Sequence, residues 1–222
     1  MLPVDLLVSA YASGWFPMAV GGGDIRWFSP DPRGIIPLDT FHVSSRLARV
    51  VRRGSFRIEI NRDFPAVIRA CAEAERDDED AGTWIDQAIF DSYCAMHQAG
   101  YAHSVEAWRD GKLAGGLYGV ALGGAFFGES MFSTETDASK VALIYLAARL
   151  IHGGFTLLDT QFVTDHLRQF GAVEVRRPEF QKLLGIALQA HCSGFHELPS
   201  DFPPEGVLQL VSQTSKTGCS TA

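Results

Sequence analysis

Three polar side chains occur in apolar stretches of this sequence where a buried strand ordinarily carries aliphatic or aromatic residues. Glu129 lies within residues 126–133, and Asp159 and Gln161 lie within residues 157–162. Two carboxylates and an amide can together bind a cation, hold an amine or take part in proton transfer. We therefore expect a functional cleft at these residues. The alternative is a buried polar network that only fixes the strand ends.

The segment between these two predicted strands determines how they meet. Residues 138–152 have the apolar spacing of a helix, and Gly153 and Gly154 follow where a helix C-cap belongs. A strand, a helix and a second strand form a right-handed crossover that sets the two strands parallel and adjacent. The polar groups are then expected near one end of the pair.

The remaining pattern indicates an α+β protein. Helices are predicted at residues 4–12, 44–53, 64–75, 84–99, 163–170 and 178–190, and strands at residues 25–28, 56–60, 102–108, 112–120, 125–132 and 172–175. Residues 13–18 are predicted to turn the chain, and the prolines within residues 29–34 to interrupt regular structure.

This order favours a small N-terminal domain at residues 1–33 and a GNAT-like acyltransferase domain at residues 34–212. The second domain would contain a mixed, mainly antiparallel sheet with a central crossover helix. Residues 213–222 have little apolar surface to bury and are expected to form a disordered tail.

Charge is distributed unevenly along the chain. The formal net charge is −7, which argues against a protein coated in basic residues. Residues 41–69, however, contain seven arginines and only two acidic residues, a local net charge of +5. A basic face of this kind can guide a polyanion to one site, although an ordinary solvated surface is the alternative.

The sequence also carries expectations about location and metals. It contains no apolar run of about 18 residues and no basic segment at its start, so we expect neither a membrane span nor a signal peptide, and a cytoplasmic protein. Its four cysteines show no Cys-x-x-Cys spacing, which argues against a zinc site and a disulfide framework.

Residues 133–138 bear on the acyl donor. Acyltransferases of the GNAT type that use coenzyme A need a glycine-rich turn here, because backbone N–H groups must contact the pyrophosphate. This turn has no glycine and carries Glu135 and Asp137. We therefore expect a donor other than coenzyme A.

Seven motifs, in order along most of the chain, resemble those of the leucyl/phenylalanyl-tRNA protein transferase family. They are Phe16-Pro17, Trp27-Phe28-Ser29-Pro30-Asp31-Pro32-Arg33, Gly82-Thr83-Trp84-Ile85, His103-Ser104-Val105-Glu106-Ala107-Trp108, Gly128-Glu129-Ser130-Met131-Phe132-Ser133, Ala138-Ser139-Lys140 and Asp165-His166.

The resemblance implies transfer of leucine, and also of phenylalanine or methionine, from charged tRNA to the N-terminal amine of proteins beginning with Arg or Lys. The product would carry an N-degron and be passed on for degradation. An aminoacyl ester is already activated, so no cofactor, ATP or metal is expected. The partners would be aminoacyl-tRNA and acceptor proteins, and the protein a monomer.

The same resemblance assigns roles to residues. Gln161 would hydrogen-bond the attacking amine, Asp159 would orient or activate it, and Glu129 would help to bind the cationic end of the acceptor. The donor pocket and its rim would be formed by Tyr11, Met18, Trp84, Tyr93, Phe126, Met131, Ser133, Leu146 and Leu150. Met18, Leu146 and Leu150 replace aromatic residues common in the family, which favours leucine and methionine over phenylalanine.

The arginine-rich segment would then support the tRNA. Its expected contacts are Arg46, Arg49, Arg53, Arg57 and Arg62, with little reading of tRNA sequence. Two other functions remain open: a small-molecule N-acyltransferase, and a non-catalytic module that binds charged tRNA or basic N-termini.

Overall fold

The computed structural model describes residues 1–74 and 84–217. The strands are β1 Phe16–Ala19, β2 Ile25–Phe28, β3 Arg33–Ile35, β4 Arg57–Ile60, β5 Ala102–Arg109, β6 Lys112–Leu122, β7 Ala125–Ser133, β8 Leu157–Gln161 and β9 Val173–Val175. The helices are α1 Val4–Ala12, α2 Ser45–Arg52, α3 Phe64–Glu73, α4 Gln87–Gln98, α5 Ala138–His152, α6 Asp165–Arg168, α7 Arg177–Leu188 and α8 Pro204–Thr217. The fold is mixed α+β, as the sequence predicts.

A seven-stranded sheet organises the chain, in the order β4-β5-β6-β7-β8-β3-β9. Every neighbouring pair in this sheet is antiparallel except β7 and β8, which are parallel and joined through α5. This arrangement confirms the predicted strand, helix and strand unit. β1 and β2 form a separate two-stranded sheet.

The seven-stranded sheet separates two hydrophobic cores. Leu47, Ile144 and Val207, from α2, α5 and α8, belong to one cluster. Leu7, Phe64, Ile89 and Phe180, from α1, α3, α4 and α7, belong to the other. Neighbouring residues of β7 divide between them because successive side chains of a strand point to opposite faces.

Local sequence signals explain where the helices begin. The side chains of Ser44, Asp63 and Asp86 accept hydrogen bonds from the backbone N–H groups of residues 47, 66 and 89, at 3.3, 3.1 and 2.8 Å. Each satisfies an amide that the helix itself leaves without a partner. The helix predicted at residues 84–99 therefore begins at Gln87, after its Asp86 cap.

Two predictions near the N-terminus were wrong. Residues 16–18, expected to turn the chain, form β1. Both strands of a two-stranded sheet are edge strands, so Pro17 is tolerated there although it has no N–H donor. Residues 33–34, expected to lack regular structure, lie in β3, which pairs with β8 on one side and β9 on the other.

The C-terminal part also differs from expectation. Val207 and Val211 of α8 are buried against the cluster that contains α5, and the helix continues to Thr217. It therefore passes residue 213, where we expected a disordered tail to begin. The helix predicted at residues 163–170 is shorter, spanning Asp165–Arg168.

Parts of two predictions lie outside the described residues: Gly82 and Thr83 of one motif, and the end of the tail from residue 218. Within the described ranges, no helix is both long enough and apolar enough to cross a membrane.

Candidate active site

The cleft opens where β7 and β8 separate. The two strands pair from Ala125 and Leu157 as far as Phe127 and Asp159, and the ladder ends there. A cavity of about 960 Å³ follows, lined on one side by Glu129 and Gln161 and on another by residues of α5. A concave site with a few converging polar groups in an otherwise apolar wall is typical of a substrate pocket.

The three polar residues predicted to meet do so. Gln161 donates from Nε2 to Oε1 of Glu129 at 3.1 Å, and its backbone N–H donates to Oδ1 of Asp159 at 2.9 Å. Gln161 also has a φ of 58°, in the left-handed region that non-glycine residues seldom adopt. The hydrogen bond to Asp159 thus supports an unusual backbone conformation that turns the amide toward Glu129.

Arg33 forms a two-point ion pair with Asp159. Its Nε and one terminal nitrogen donate to the two carboxylate oxygens of Asp159 at 2.9 and 2.6 Å. Both side chains are buried, with 1% and 0% of their surface exposed. The guanidinium carbon also lies 4.8 and 4.6 Å from the ring centres of Phe16 and Phe180. Asp159 is therefore a fixed anion beneath the cleft.

Glu129 also accepts a hydrogen bond from a phenol chain, which is formed by Tyr11 and Tyr93. The hydroxyl of Tyr93 donates to Oε2 of Glu129 at 2.8 Å, and the hydroxyls of Tyr11 and Tyr93 form a hydrogen bond. Because the hydroxyl hydrogen of Tyr93 is used in the hydrogen bond to Glu129, Tyr11 donates to Tyr93. Both phenols are fully buried, and neither belongs to the residues that line the cleft.

Burial is the largest influence on the pKa values of Glu129, Tyr11 and Tyr93. It raises the pKa of Glu129 to about 7, against the hydrogen bonds from the two tyrosines, which lower that pKa. The negative charge of Asp159 raises it further, and Arg33 lowers it. Burial, and then the charge of Glu129, raises the pKa of both Tyr11 and Tyr93 well above the usual value. The phenols therefore remain neutral near pH 7.

The residues predicted to form the donor pocket fall into two groups. Met131, Ser133 and Leu146 line the cleft, together with Leu143 and Leu158. Phe126 and Leu150 are fully buried in the core cluster that includes α5. Met18 and Trp84 are half-buried against the opposite cluster, where the backbone of Ala19 donates to that of Trp84 at 3.2 Å.

The turn before α5 uses its polar groups internally. Thr134 and Glu135 both donate their backbone N–H to the carbonyl of Ala114, at 2.9 and 3.2 Å. Asp137, with a φ of 71°, receives Arg46 at 2.6 and 2.8 Å. Hydrogen bonds from Arg46 lower the pKa of Asp137 below its usual value, so the carboxylate is ionised and engages that arginine. Such a turn is a poor site for a pyrophosphate.

The five arginines proposed for tRNA differ in their surroundings. Arg46 is paired with Asp137, and Arg57 with Glu59 at 2.5 Å. Arg62 lies over the ring of Trp108 at 4.3 Å and 3.8 Å from the same glutamate. Arg49 and Arg53 are exposed and have no carboxylate partner within the described part of the chain.

Sequence reasoning missed several residues of the site, among them Arg33, Glu73 and Phe162. Arg33 was quoted in a motif but given no role, because nothing in the sequence shows that it is buried. Glu73 lines the cleft from the end of α3, and the half-exposed ring of Phe162 lies at its edge. The signal for Arg33 was chemical: a buried carboxylate such as Asp159 requires a cation.

Comparison with known families places most of the chain. Residues 35–185 match the model described as leucyl/phenylalanyl-tRNA protein transferase, and residues 1–31 match the model of the N-terminal domain of that transferase.

Several curated relatives carry the same name, leucyl/phenylalanyl-tRNA protein transferase. One from Rhodopseudomonas palustris (strain TIE-1) is 54% identical over 95% of this chain and 94% of its own. One from Paramagnetospirillum magneticum is 55% identical over 84% of this chain and 90% of its own. One from Nitrobacter winogradskyi is 52% identical, with 93% and 91% covered.

Among solved structures, the chain is similar to L-PGS from Bacillus licheniformis at 14% sequence identity and a TM-score of 0.36. The match covers 71% of this chain and 53% of the other.

Proposed function

This chain belongs to the leucyl/phenylalanyl-tRNA protein transferase family and is an aminoacyltransferase, and from that premise we propose its substrates and the roles of its residues. It transfers leucine, and also methionine or phenylalanine, from charged tRNA to the N-terminal amine of proteins that begin with Arg or Lys. The observation that carries the proposal is Gln161, held in the cleft wall between Glu129 and Asp159.

The reaction requires positioning more than activation. An aminoacyl ester is already reactive, and an α-amine with a pKa of about 7.7–8.0 is partly neutral near pH 7. The amide of Gln161 is fixed through its Nε2 atom to Glu129, which leaves its oxygen free to accept a hydrogen bond from the amine. Holding the amine against the ester in this way is the main source of rate.

The charge of the cleft supports a cationic acceptor. Glu129 and Glu73 both line it, and its described lining contains no lysine or arginine. A carboxylate forms strong charge-assisted hydrogen bonds with a guanidinium or an ammonium group. The product would carry a destabilising N-terminus, which marks the acceptor protein for degradation as an N-degron.

The apolar end of the cleft supports a donor with an aliphatic side chain. Met131, Leu143, Leu146 and Leu158 line it, together with the rings of Tyr118, Phe132 and Phe162. Flexible chains of this type adapt to leucine or methionine, and the departure noted at Leu146, which lines the cleft, agrees with that preference. Phenylalanine is the weaker donor in this proposal.

The arginines of residues 46–62 are proposed to contact the tRNA backbone. Exposed guanidinium groups such as those of Arg49 and Arg53 bind phosphates without reading bases. A GNAT-like fold, a division at residue 33, a monomeric state and a place of action in the cytoplasm belong to the same proposal.

A coenzyme A-dependent reaction is disfavoured by the turn before α5. The backbone N–H groups of residues 134 and 135 already donate to the carbonyl of Ala114, so they are not available to a pyrophosphate. Asp137 also places a carboxylate beside the helix N-terminus. A shift in melting temperature on adding coenzyme A would support that alternative, because a ligand that binds the folded state stabilises it. We expect no shift.

A transfer assay with Gln161→Ala separates the enzyme from a non-catalytic binding module. Wild-type protein is expected to move labelled leucine from tRNA to an arginyl peptide. The variant is expected to bind the charged tRNA and the peptide but to form little product. Binding by both proteins without product from either would favour the module.

A further inference from the structure

The carboxylate of Asp159 has little capacity left for proton transfer. Oδ1 accepts from Nε of Arg33 and from the backbone N–H of Gln161, both at 2.9 Å, while Oδ2 accepts from Arg33 at 2.6 Å. The group is fully buried. A proton on Asp159 would neutralise one member of a buried ion pair and leave the Arg33 cation without its counter-charge.

Glu129 is placed differently. It lines the cleft, and its hydrogen-bond partners are neutral groups, the amide of Gln161 at 3.1 Å and the phenol of Tyr93 at 2.8 Å. An ionised carboxylate has about four acceptor sites, so each oxygen of Glu129 keeps one for a substrate. A proton can be added here without breaking an ion pair.

The charged and titratable groups around Glu129 come from several elements. Tyr11 of α1 and Tyr93 of α4 form the phenol chain, Asp159 of β8 adds a negative charge, and Arg33 of β3 adds a positive one. Glu73 and His166 line the same cleft. Burial outweighs the rest and brings the pKa of Glu129 to about 7, where a general base is most effective.

We propose that Glu129 accepts the proton that the attacking amine loses, and that Arg33 and Asp159 position Gln161 without taking part in proton transfer. This inference rests on the proposed function. Nε2 of Gln161 binds the carboxylate of Glu129, and the oxygen of the same amide would bind the attacking amine. The amine then lies close enough to Glu129 to transfer a proton directly or through one water.

The amine nitrogen forms a bond to the ester carbon, and the nitrogen then gives a proton to Glu129. The bond between that carbon and the ribose oxygen breaks, and the oxygen leaves with the electron pair. Protonated Glu129 returns the proton to the ribose oxygen, so the products are an amide and a tRNA with a free terminal hydroxyl.

The test is the pH dependence of single-turnover transfer from leucyl-tRNA to an arginyl peptide. The transfer rate of the wild-type protein is expected to rise with pH and to show an apparent pKa near 7. This rising part of the profile is called the limb. Glu129→Gln is expected to react about 10²–10⁴-fold more slowly and to lack that limb. Asp159→Asn is expected to be slow but to keep it. Retention of the limb by Glu129→Gln, or its loss in Asp159→Asn, would overturn the proposal.

Controls separate Glu129 from the acceptor amine and from general damage. Arginine methyl ester, used as the acceptor in place of the peptide, has a less basic amine. If the limb reports ionisation of the acceptor amine, it should shift to lower pH with the ester. If the limb reports ionisation of Glu129, it should stay in place. Tyr93→Phe removes a hydrogen bond that stabilises ionised Glu129 and should move the limb to higher pH. Glu73→Gln, at the other cleft carboxylate, should raise the peptide KM and keep the limb.

Two failures are distinguishable. If wild-type protein transfers nothing at any pH, the proposed function is wrong. If wild-type protein transfers leucine and Glu129→Gln has the same pH profile, the function stands and the role given to Glu129 is wrong. Glu129→Asp keeps a carboxylate and should restore part of the limb, which a purely structural role would not require.

Discussion

The guanidinium of Arg33 and the carboxylate of Asp159 form a buried, two-point ion pair across 126 positions of sequence. The pair joins β3 to β8, and its carboxylate in turn holds the backbone of Gln161. The contact therefore links the N-terminal residues of the chain to Gln161 in the cleft wall.

Arg33→Met should destabilise the protein by about 3–5 kcal/mol at neutral pH, because it leaves the buried charge of Asp159 without a partner. Urea unfolding measures this loss. Arg53→Met, which removes an exposed arginine, is the matched control and should change stability by no more than about 0.5 kcal/mol.

The double variant Arg33→Met, Asp159→Leu should recover much of that stability, since an apolar pair can replace a buried ion pair of similar size. It should remain inactive because Gln161 has lost its anchor. Equal stability of Arg33→Met and the wild type would contradict this role for the pair.

The raised pKa of Glu129 should appear in the pH dependence of stability. Its folded-state pKa of about 7 exceeds the ordinary value of 4.5, so between these values the folded protein binds more protons than the unfolded chain. Stability contributed by this group is therefore lost as pH rises through that interval. The stability of Glu129→Gln relative to the wild type should increase across it and then level off. A difference that is independent of pH would count against the shift.

Leu146→Ala should change the choice of donor. Leu146 lines the cleft, so removing its side chain enlarges the apolar pocket and should raise transfer of phenylalanine relative to leucine about tenfold or more. Leu150→Ala removes a core side chain one helical turn away that does not line the cleft. It should lower stability by about 2–5 kcal/mol and leave the donor ratio unchanged. Equal shifts in both variants would mean that the ratio reports stability only.

The arginines should contribute unequally to tRNA binding. Arg49→Gln and Arg53→Gln should each weaken binding similarly for all tRNA sequences and reduce the salt-dependence slope by about 1. Arg46→Gln and Arg57→Gln should have smaller effects, because those guanidinium groups are engaged by Asp137 and Glu59. Titrations of charged tRNA at several salt concentrations measure the slopes. Equal slopes in all four variants would contradict this order.

Much of the fold was predictable because its signals are local. The apolar spacing of α5, the glycines after it and the capping residues at Ser44 and Asp63 each specify an element through nearby atoms. The parallel pairing of β7 and β8 followed from that unit, and with it the meeting of Glu129 and Gln161.

The missing parts depend on contacts distant in sequence. β3 has three residues and acquires its regularity from β8 and β9. The hydrogen bond between Tyr11 and Tyr93 joins α1 to α4, and the burial of Arg33 depends on rings from two other elements. No local pattern encodes these approaches, so the network behind the amide of Gln161 could not be derived from spacing.

The most direct test is transfer of labelled leucine, methionine and phenylalanine from charged tRNA to four peptides that differ in their first residue, Arg, Lys, Asp or Ala. We expect product with the Arg and Lys peptides alone, with leucine and methionine ahead of phenylalanine. Product with the Asp or Ala peptides at similar rates would contradict a cleft selective for cations. No product with any peptide, while charged tRNA still binds, would contradict the proposed reaction itself.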